Sequence, residues 1–194
     1  MNKNFRPISD PKKQIISNLV WIDMEMTGLN PIMDRILEIS AIITDKNLNI
    51  IAEQPGIIIH VEDKYLNLMD KIVTDIHKKN GLTDKVKESK VTINQAEDFV
   101  FKFIKKYVKK LESPLCGSSV HVDRFFLLYH MPRIFSYLYH RIIDVSVLKQ
   151  LYAIWNPKGK PFFEPKMHTA LDDIRRSINE LKYYKEKFLK CTNS

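Results

Sequence analysis

Asn18-Leu19-Val20-Trp21-Ile22-Asp23-Met24-Glu25-Met26-Thr27-Gly28-Leu29 is the stretch from which the rest of the chain can be read. It is an apolar run of strand length that stops at Thr27-Gly28, the pattern of a buried strand meeting a turn. Alternate residues of a strand share a face, so Asp23 and Glu25 project the same way, with backbone positions roughly 6.5 to 7 Å apart. Val20, Ile22 and Met24 take the other face. Two carboxylates side by side on a packed strand need relief from a cation, a proton or water. A divalent metal site is one reading; an edge strand with a hydrated acidic face is the other.

Downstream, the apolar stretches 36–44 and 48–61 flank the turn signal Asp45-Lys46-Asn47, which predicts an antiparallel meander of three strands. After Lys64 the chain becomes polar and helical in short pieces broken by Asn80-Gly81. A longer helix is expected over 93–110, with Ala96, Phe99, Val100, Phe103, Ile104 and Val108 on its buried face. Beyond Ser113-Pro114, strands (114–117, 141–145) alternate with helices (123–130, 147–155). A Pro- and Gly-containing loop, 156–166, precedes a last helix over 169–188. The expected architecture is α/β, a mixed five-stranded sheet flanked by helices.

With 194 residues, 44% hydrophobic and 28% charged, the chain suits one soluble domain with a sizeable core and excludes a disordered protein. Residues 1–17 are basic but carry Asp10, Pro7 and Pro11, and read as a flexible extension ahead of a domain over 18–190 and a tail at 191–194. The net charge of +8 favours polyanions such as nucleic acid, although a Lys-rich solvated surface would give the same figure. Cys116 and Cys191 alone exclude a disulfide framework and a Cys-based zinc site, and fit a reducing cytoplasm. No apolar run approaches the roughly 18 residues that span a bilayer.

Placed at about 100° per residue, Ala170, Leu171, Ile174, Ile178, Leu181 and Phe188 cluster on one side of the last helix. Asp172 falls nearly opposite that cluster, whereas Asp173 lies on its flank, within reach of the sheet rim, and is the better ligand candidate. Helical phase does not decide the role of His168, which Pro165 places at or before the first turn. A His there can equally be a cap or a surface residue. Asp123, ahead of Phe125-Phe126-Leu127-Leu128, has an ordinary reading too, as an acid stabilised in a first helical turn.

Three separated motifs, in order, resemble the DEDD exonuclease superfamily, whose fold is ribonuclease H-like. They are Asp23-Met24-Glu25-Met26-Thr27-Gly28-Leu29, Asp123 with Arg124-Phe125-Phe126-Leu127, and His168 with four residues before Asp173. The third selects the His-bearing branch. Within it, residues 21–29, Ile143-Asp144-Val145-Ser146 and Leu181-Lys182-Tyr183-Tyr184 resemble the oligoribonuclease group, and the likeness spans 18–190.

This resemblance implies a 3′-to-5′ exoribonuclease that hydrolyses very short RNAs, especially dinucleotides, to nucleoside 5′-monophosphates. It implies two divalent cations, Mg2+ or Mn2+, with no organic cofactor, and a homodimer. Asp23 would bridge both cations, Glu25 and Asp173 would complete the nucleophile side, and Asp123 would serve the leaving-group side. His168 would take a proton from the attacking water. Leu29 would wedge between the two bases, and Ser119, Arg141 and Ser146 would cap the 5′ phosphate, with His77 at the same substrate end. Turn packing, a surface Arg, capping serines and a surface His are the ordinary readings of those positions. Asp144 is left structural.

The chain departs from the pattern at Ile72 (usually Trp), His140 (usually Tyr) and Ser118 (usually Asn), and His121 and Val122 are also unusual. The alternatives are a related exonuclease trimming longer DNA or tRNA ends, and an inactive basic nucleic-acid-binding module. The second would be marked by loss of a ligand, and none is missing.

Overall fold

The computed structural model describes residues 18–165 and 169–187. The opening stretch forms β1 (Asn18–Met26), followed by β2 (Ile36–Asp45) and β3 (Ile50–Ile58); β4 (Leu115–Gly117) and β5 (Ile142–Asp144) come later. They form one sheet in the order β3-β2-β1-β4-β5. β1 pairs antiparallel with β2, and β2 with β3, whereas β1 runs parallel to β4 and β4 to β5. This is the expected mixed sheet. The extension at 1–17 and the tail at 191–194 lie outside the described residues.

β1 is central, which removes the edge-strand explanation of its acids. Its two faces feed two cores. Val20, Ile22 and Met24 pack on the side covered by α4 (Ile93–Tyr107), α5 (His121–His130) and α6 (Pro132–Tyr137). Leu19 and Trp21, on the face shared with the acids, pack against α7 (Val145–Trp155) and α8 (Ala170–Lys187) through Val145, Tyr152, Ile174 and Ile178. The strand is therefore dry on both sides, and Asp23 and Glu25 occupy only its C-terminal end. Trp21 is fully buried and its Nε1–H donates to Thr44 Oγ1 at 3.0 Å, so the large indole leaves no unpaired donor.

A third, smaller layer comes from α1 (Asp63–Leu66), α2 (Lys71–Lys79) and α3 (Leu82–Glu88). Its attachment follows from a β-bulge. Glu25 pairs with Glu38 but Met26 pairs with Ile36, which leaves Leu37 as the extra residue. Leu37 is buried with Val61, Leu66, Leu82 and Val86, so the bulge turns one side chain of β2 into the anchor of this layer.

Several expected boundaries shift. Leu48 has φ +71°, inside a turn, so β3 begins at Ile50 and not at 48. α4 ends at Tyr107 because Val108 has extended backbone (φ −138°, ψ 150°), three residues before the expected end. Phe99 is 51% exposed and not part of the buried stripe of α4, which is the narrower set Ala96, Val100, Phe103 and Ile104. Helix α6 has no counterpart in the sequence-based expectation. Pro132 at its first turn tolerates the missing N–H, and Glu97 of α4 accepts from the Arg133 amide at 2.7 Å and the Ile134 amide at 3.3 Å.

Because Trp21 fills the space under α7 and α8 and holds a buried hydrogen bond, Trp21→Ala is expected to cost about 3 to 5 kcal/mol in urea unfolding. A loss under about 1 kcal/mol would show that the face does not depend on it.

Candidate active site

The C-terminal end of β1 is where the acids collect. Asp23 and Glu25 are joined there by Asp173, from the first turn of α8, and each of the three offers a carboxylate oxygen within 4.8 Å of the others. All three are half-buried. Asp172 points elsewhere, to Arg175 at 3.0 Å and Thr169 Oγ1 at 2.8 Å, so the structure separates the two neighbouring aspartates as the helical phase does. Three carboxylates this close repel one another in a partly desolvated setting unless a cation or shared protons neutralise them. Oxygens bound to one Mg2+ at about 2.1 Å lie roughly 3 to 4 Å apart, so the set fits a hard divalent ion after shifts of well under about 2 Å.

Asp123 lies next to this group, not in it. It is buried (5% exposed) in the first turn of α5, where the backbone amides of Met24 of β1 and of Asp123 itself favour its charged form. Burial dominates its titration and pushes its carboxyl from 3.8 up to about 8, with the Asp144 and Glu25 charges adding to the rise. The first-turn reading accounts for its position on the helix. It does not account for a carboxylate buried beside two others. His168 lies outside the described residues.

The Thr27-Gly28-Leu29 segment has a physical reason for each residue. Thr27 Oγ1 donates to Asp34 Oδ1 at 2.9 Å and accepts from the Arg35 amide at 3.0 Å, while Asp34 Oδ2 accepts from the Asn30 amide at 2.9 Å. Gly28 leaves room for Asp34, since a Cβ there would lie 2.5 Å from Asp34 Oδ2. The loop so pinned presents Leu29 at 74% exposure.

Ser119 and Ser146 come together, and Asp144 is the reason. The Ser119 amide donates to Asp144 Oδ1 (2.9 Å) and Ser146 Oγ (2.8 Å), and the Ser146 amide donates to the same Asp144 oxygen at 2.9 Å. Ser119 adopts φ +55° to do so. His121 Nδ1 sits 3.4 Å from Asp144 Oδ2. Arg141 is exposed at the N-terminal end of β5, the end away from Asp144, and takes no part in the hydrogen bonds that join the serines.

His77 is no surface residue. It is 3% exposed in α2, with Nε2 donating to the Met26 carbonyl at 3.0 Å and Nδ1 3.9 Å from Glu25 Oε2. Of the departures, Ile72 is 72% exposed on α2, His140 packs its ring on Tyr139, and Ser118 Oγ meets Ser177 Oγ of α8 at 2.8 Å. Asp34 and Asp144 organise the loops beside the site, a role that sequence reasoning does not assign to them. Only Asp144 carries a sequence signal, as a helix-starting acid two residues before Ser146.

A folded-state pKa near 8 for Asp123 against 3.8 means that the metal-free folded chain holds one more proton than the unfolded chain between those values. Stability must then fall as pH rises through that window. In a chelator, the melting temperature of the wild type is expected to drop from about pH 5 to 9 more steeply than that of Asp123→Asn; equal slopes would contradict the burial of that carboxylate.

Known proteins resemble this chain in sequence and in fold. The exonuclease family model designated RNase_T matches residues 20–181. An oligoribonuclease of Haemophilus influenzae (strain PittGG) is 49% identical over 174 residues, 89% of this chain and 96% of that one. One of Francisella tularensis subsp. novicida is 49% identical over 176 residues, 91% and 98%. Among solved structures, Escherichia coli exonuclease I in complex with a 5cy-dT13 oligonucleotide has a TM-score of 0.66 at 20% identity, over 90% of this chain and 42% of that chain. Exonuclease I from Methylocaldum szegediense gives 0.65 at 19%, over 90% and 41%, so this chain spans about two fifths of either protein. At that identity the likeness is one of fold. The chain belongs to the oligoribonuclease family of exonucleases.

Proposed function

We propose that the chain hydrolyses very short 5′-phosphorylated RNAs, dinucleotides above all, from the 3′ end to nucleoside 5′-monophosphates. The observation that carries the reading is the convergence of Asp23, Glu25 and Asp173 on one point. Phosphodiester cleavage builds negative charge on the phosphoryl oxygens and the leaving 3′ oxygen, which divalent cations offset when bound. Asp23, Glu25 and Asp173 would hold such cations, with Asp123 serving the leaving-group side, and hard oxygen donors favour Mg2+ or Mn2+. His168 takes the proton of the attacking water, a general-base role for which an imidazole is the commonest side chain.

The preference for short substrates rests on the groups around the cluster. Leu29, presented on a pinned loop at 74% exposure, is the wedge between the two bases. Ser119 and Ser146, joined by Asp144, form the hydroxyl part of a cap for the 5′ phosphate, and Arg141 brings the charge and planar donor fork that phosphate recognition uses. His77 supports the same end through its contacts with Met26 and Glu25. An apolar stripe on α5, Phe125, Leu128 and Tyr129, is 43 to 54% exposed and supports a homodimer. No helix among the described residues is long and apolar enough to cross a membrane, and a cytoplasmic site of action fits the cysteine usage.

Turnover on RNAs of two and of about twenty nucleotides separates the readings, because a capped site loses transition-state binding with the longer strand. The dinucleotide is expected to be cleaved faster with Mg2+ or Mn2+; faster cleavage of the long strand would overturn the length assignment. Asp123→Ala is expected to abolish hydrolysis while leaving the circular dichroism spectrum unchanged, and retained activity would return Asp123 to a purely structural role.

A further inference from the structure

Besides Asp123, a second acid stands beside the cluster without joining it. Glu38 of β2 is the direct cross-strand partner of Glu25 and only 9% exposed. Cross-strand partners share a face, so Glu38 lies on the side of the sheet that α8 covers. Its carboxylate extends over β3, where a Cβ on Gly56 would run into Glu38 Oε1. There the backbone N–H of Ala170, the first residue of α8, faces it and favours its charged form, as does Lys85, while burial and Asp172 act the other way.

The first amides of a helix have no intrahelical acceptor and form the positive end of its dipole, so a buried carboxylate is well matched to them. The apolar contacts of α8 through Ile174, Ile178 and Leu181 fix how far the helix sits from the sheet. Such contacts are non-directional and constrain sliding and rotation less sharply than a hydrogen bond does. Asp173 follows Ala170 by three residues, less than one turn, or about 4.5 Å of rise. Any displacement of the helix start passes almost undiminished to its carboxylate.

We propose that Glu38 is a positioning residue for the carboxylate cluster: it holds the first turn of α8 against β2 so that Asp173 faces Asp23 and Glu25, and Gly56 is a glycine because the Glu38 carboxylate fills its side-chain space. The proposal rests on the reading that the cluster binds a divalent cation.

The test is Mn2+ affinity of the full chain without RNA, followed by electron paramagnetic resonance or calorimetry, with melting temperatures recorded in parallel. The wild type is expected to bind Mn2+ and Asp173→Asn to lose most of that binding; no binding by the wild type would sink the cluster reading and the positioning role with it. Given wild-type binding, Glu38→Ala is expected to weaken it by about tenfold or more, the range seen when groups supporting metal ligands are removed. Glu38→Gln keeps an acceptor oxygen for the Ala170 amide and is expected to stay within about threefold of wild type. Gly56→Ala removes no carboxylate but displaces that of Glu38, and is expected to weaken binding in the same sense. Should Glu38→Ala fail to fold, Glu38→Gln and Gly56→Ala decide the matter. Wild-type Mn2+ affinity in Gly56→Ala, or in a folded Glu38→Ala with a lowered melting temperature, would reduce Glu38 to a stabilising role and overturn the proposal.

Discussion

Mutual repulsion among carboxylates at the C-terminal end of β1 is the constraint on which the architecture turns. Asp23, Glu25 and Asp173 stand with oxygens within 4.8 Å of one another, and Asp123 is buried alongside with its carboxyl pushed up to about 8. A fold gains nothing in stability from such an arrangement on its own, because each charge is partly desolvated among like charges. It persists because the surroundings over-determine it. β1 is dry on both faces up to the acids, so the strand cannot rotate them out to water without exposing Trp21 or Ile22.

The remaining elements fix each acid separately. α5 starts after a three-residue loop from β4 and brings Asp123 beside the Met24 amide. α8 brings Asp173 from the other end of the chain, and the half-buried Ser118–Ser177 hydroxyl pair ties its middle to the loop after β4. The bulge at Leu37 seats the α1–α3 layer, which in turn places His77 under Met26 and beside Glu25. One end of the sheet thus gathers side chains from four stretches of sequence, each held by packing formed well away from the acids themselves.

Much of this is legible in the sequence, because strands and helices announce themselves through periodicity. The run at 18–28 marks the central strand, and helical phase alone distinguishes Asp173 from Asp172. What stays hidden is set by tertiary contact. Nothing in the Glu38 neighbourhood marks it as a partner of the α8 N-terminus, since 132 residues separate it from Ala170. The width of the buried stripe on α4 depends on how closely β3 approaches, so Phe99 cannot be sorted from Phe103 by spacing. Helix α6 escapes a sequence reading because its start is capped by Glu97, far back in the chain. Asp144 resembles an ordinary helix-starting acid, and only the φ +55° turn at Ser119 gives it a second and third partner.

Whether the three-carboxylate cluster is a cation site is tested most directly by diffraction from crystals of the full chain grown with Mn2+. Anomalous scattering is predicted to place Mn2+ among oxygens of Asp23, Glu25 and Asp173, at bond lengths of about 2.1 to 2.2 Å. Manganese found only at other surface carboxylates, with the cluster held together by shared protons, would contradict that assignment.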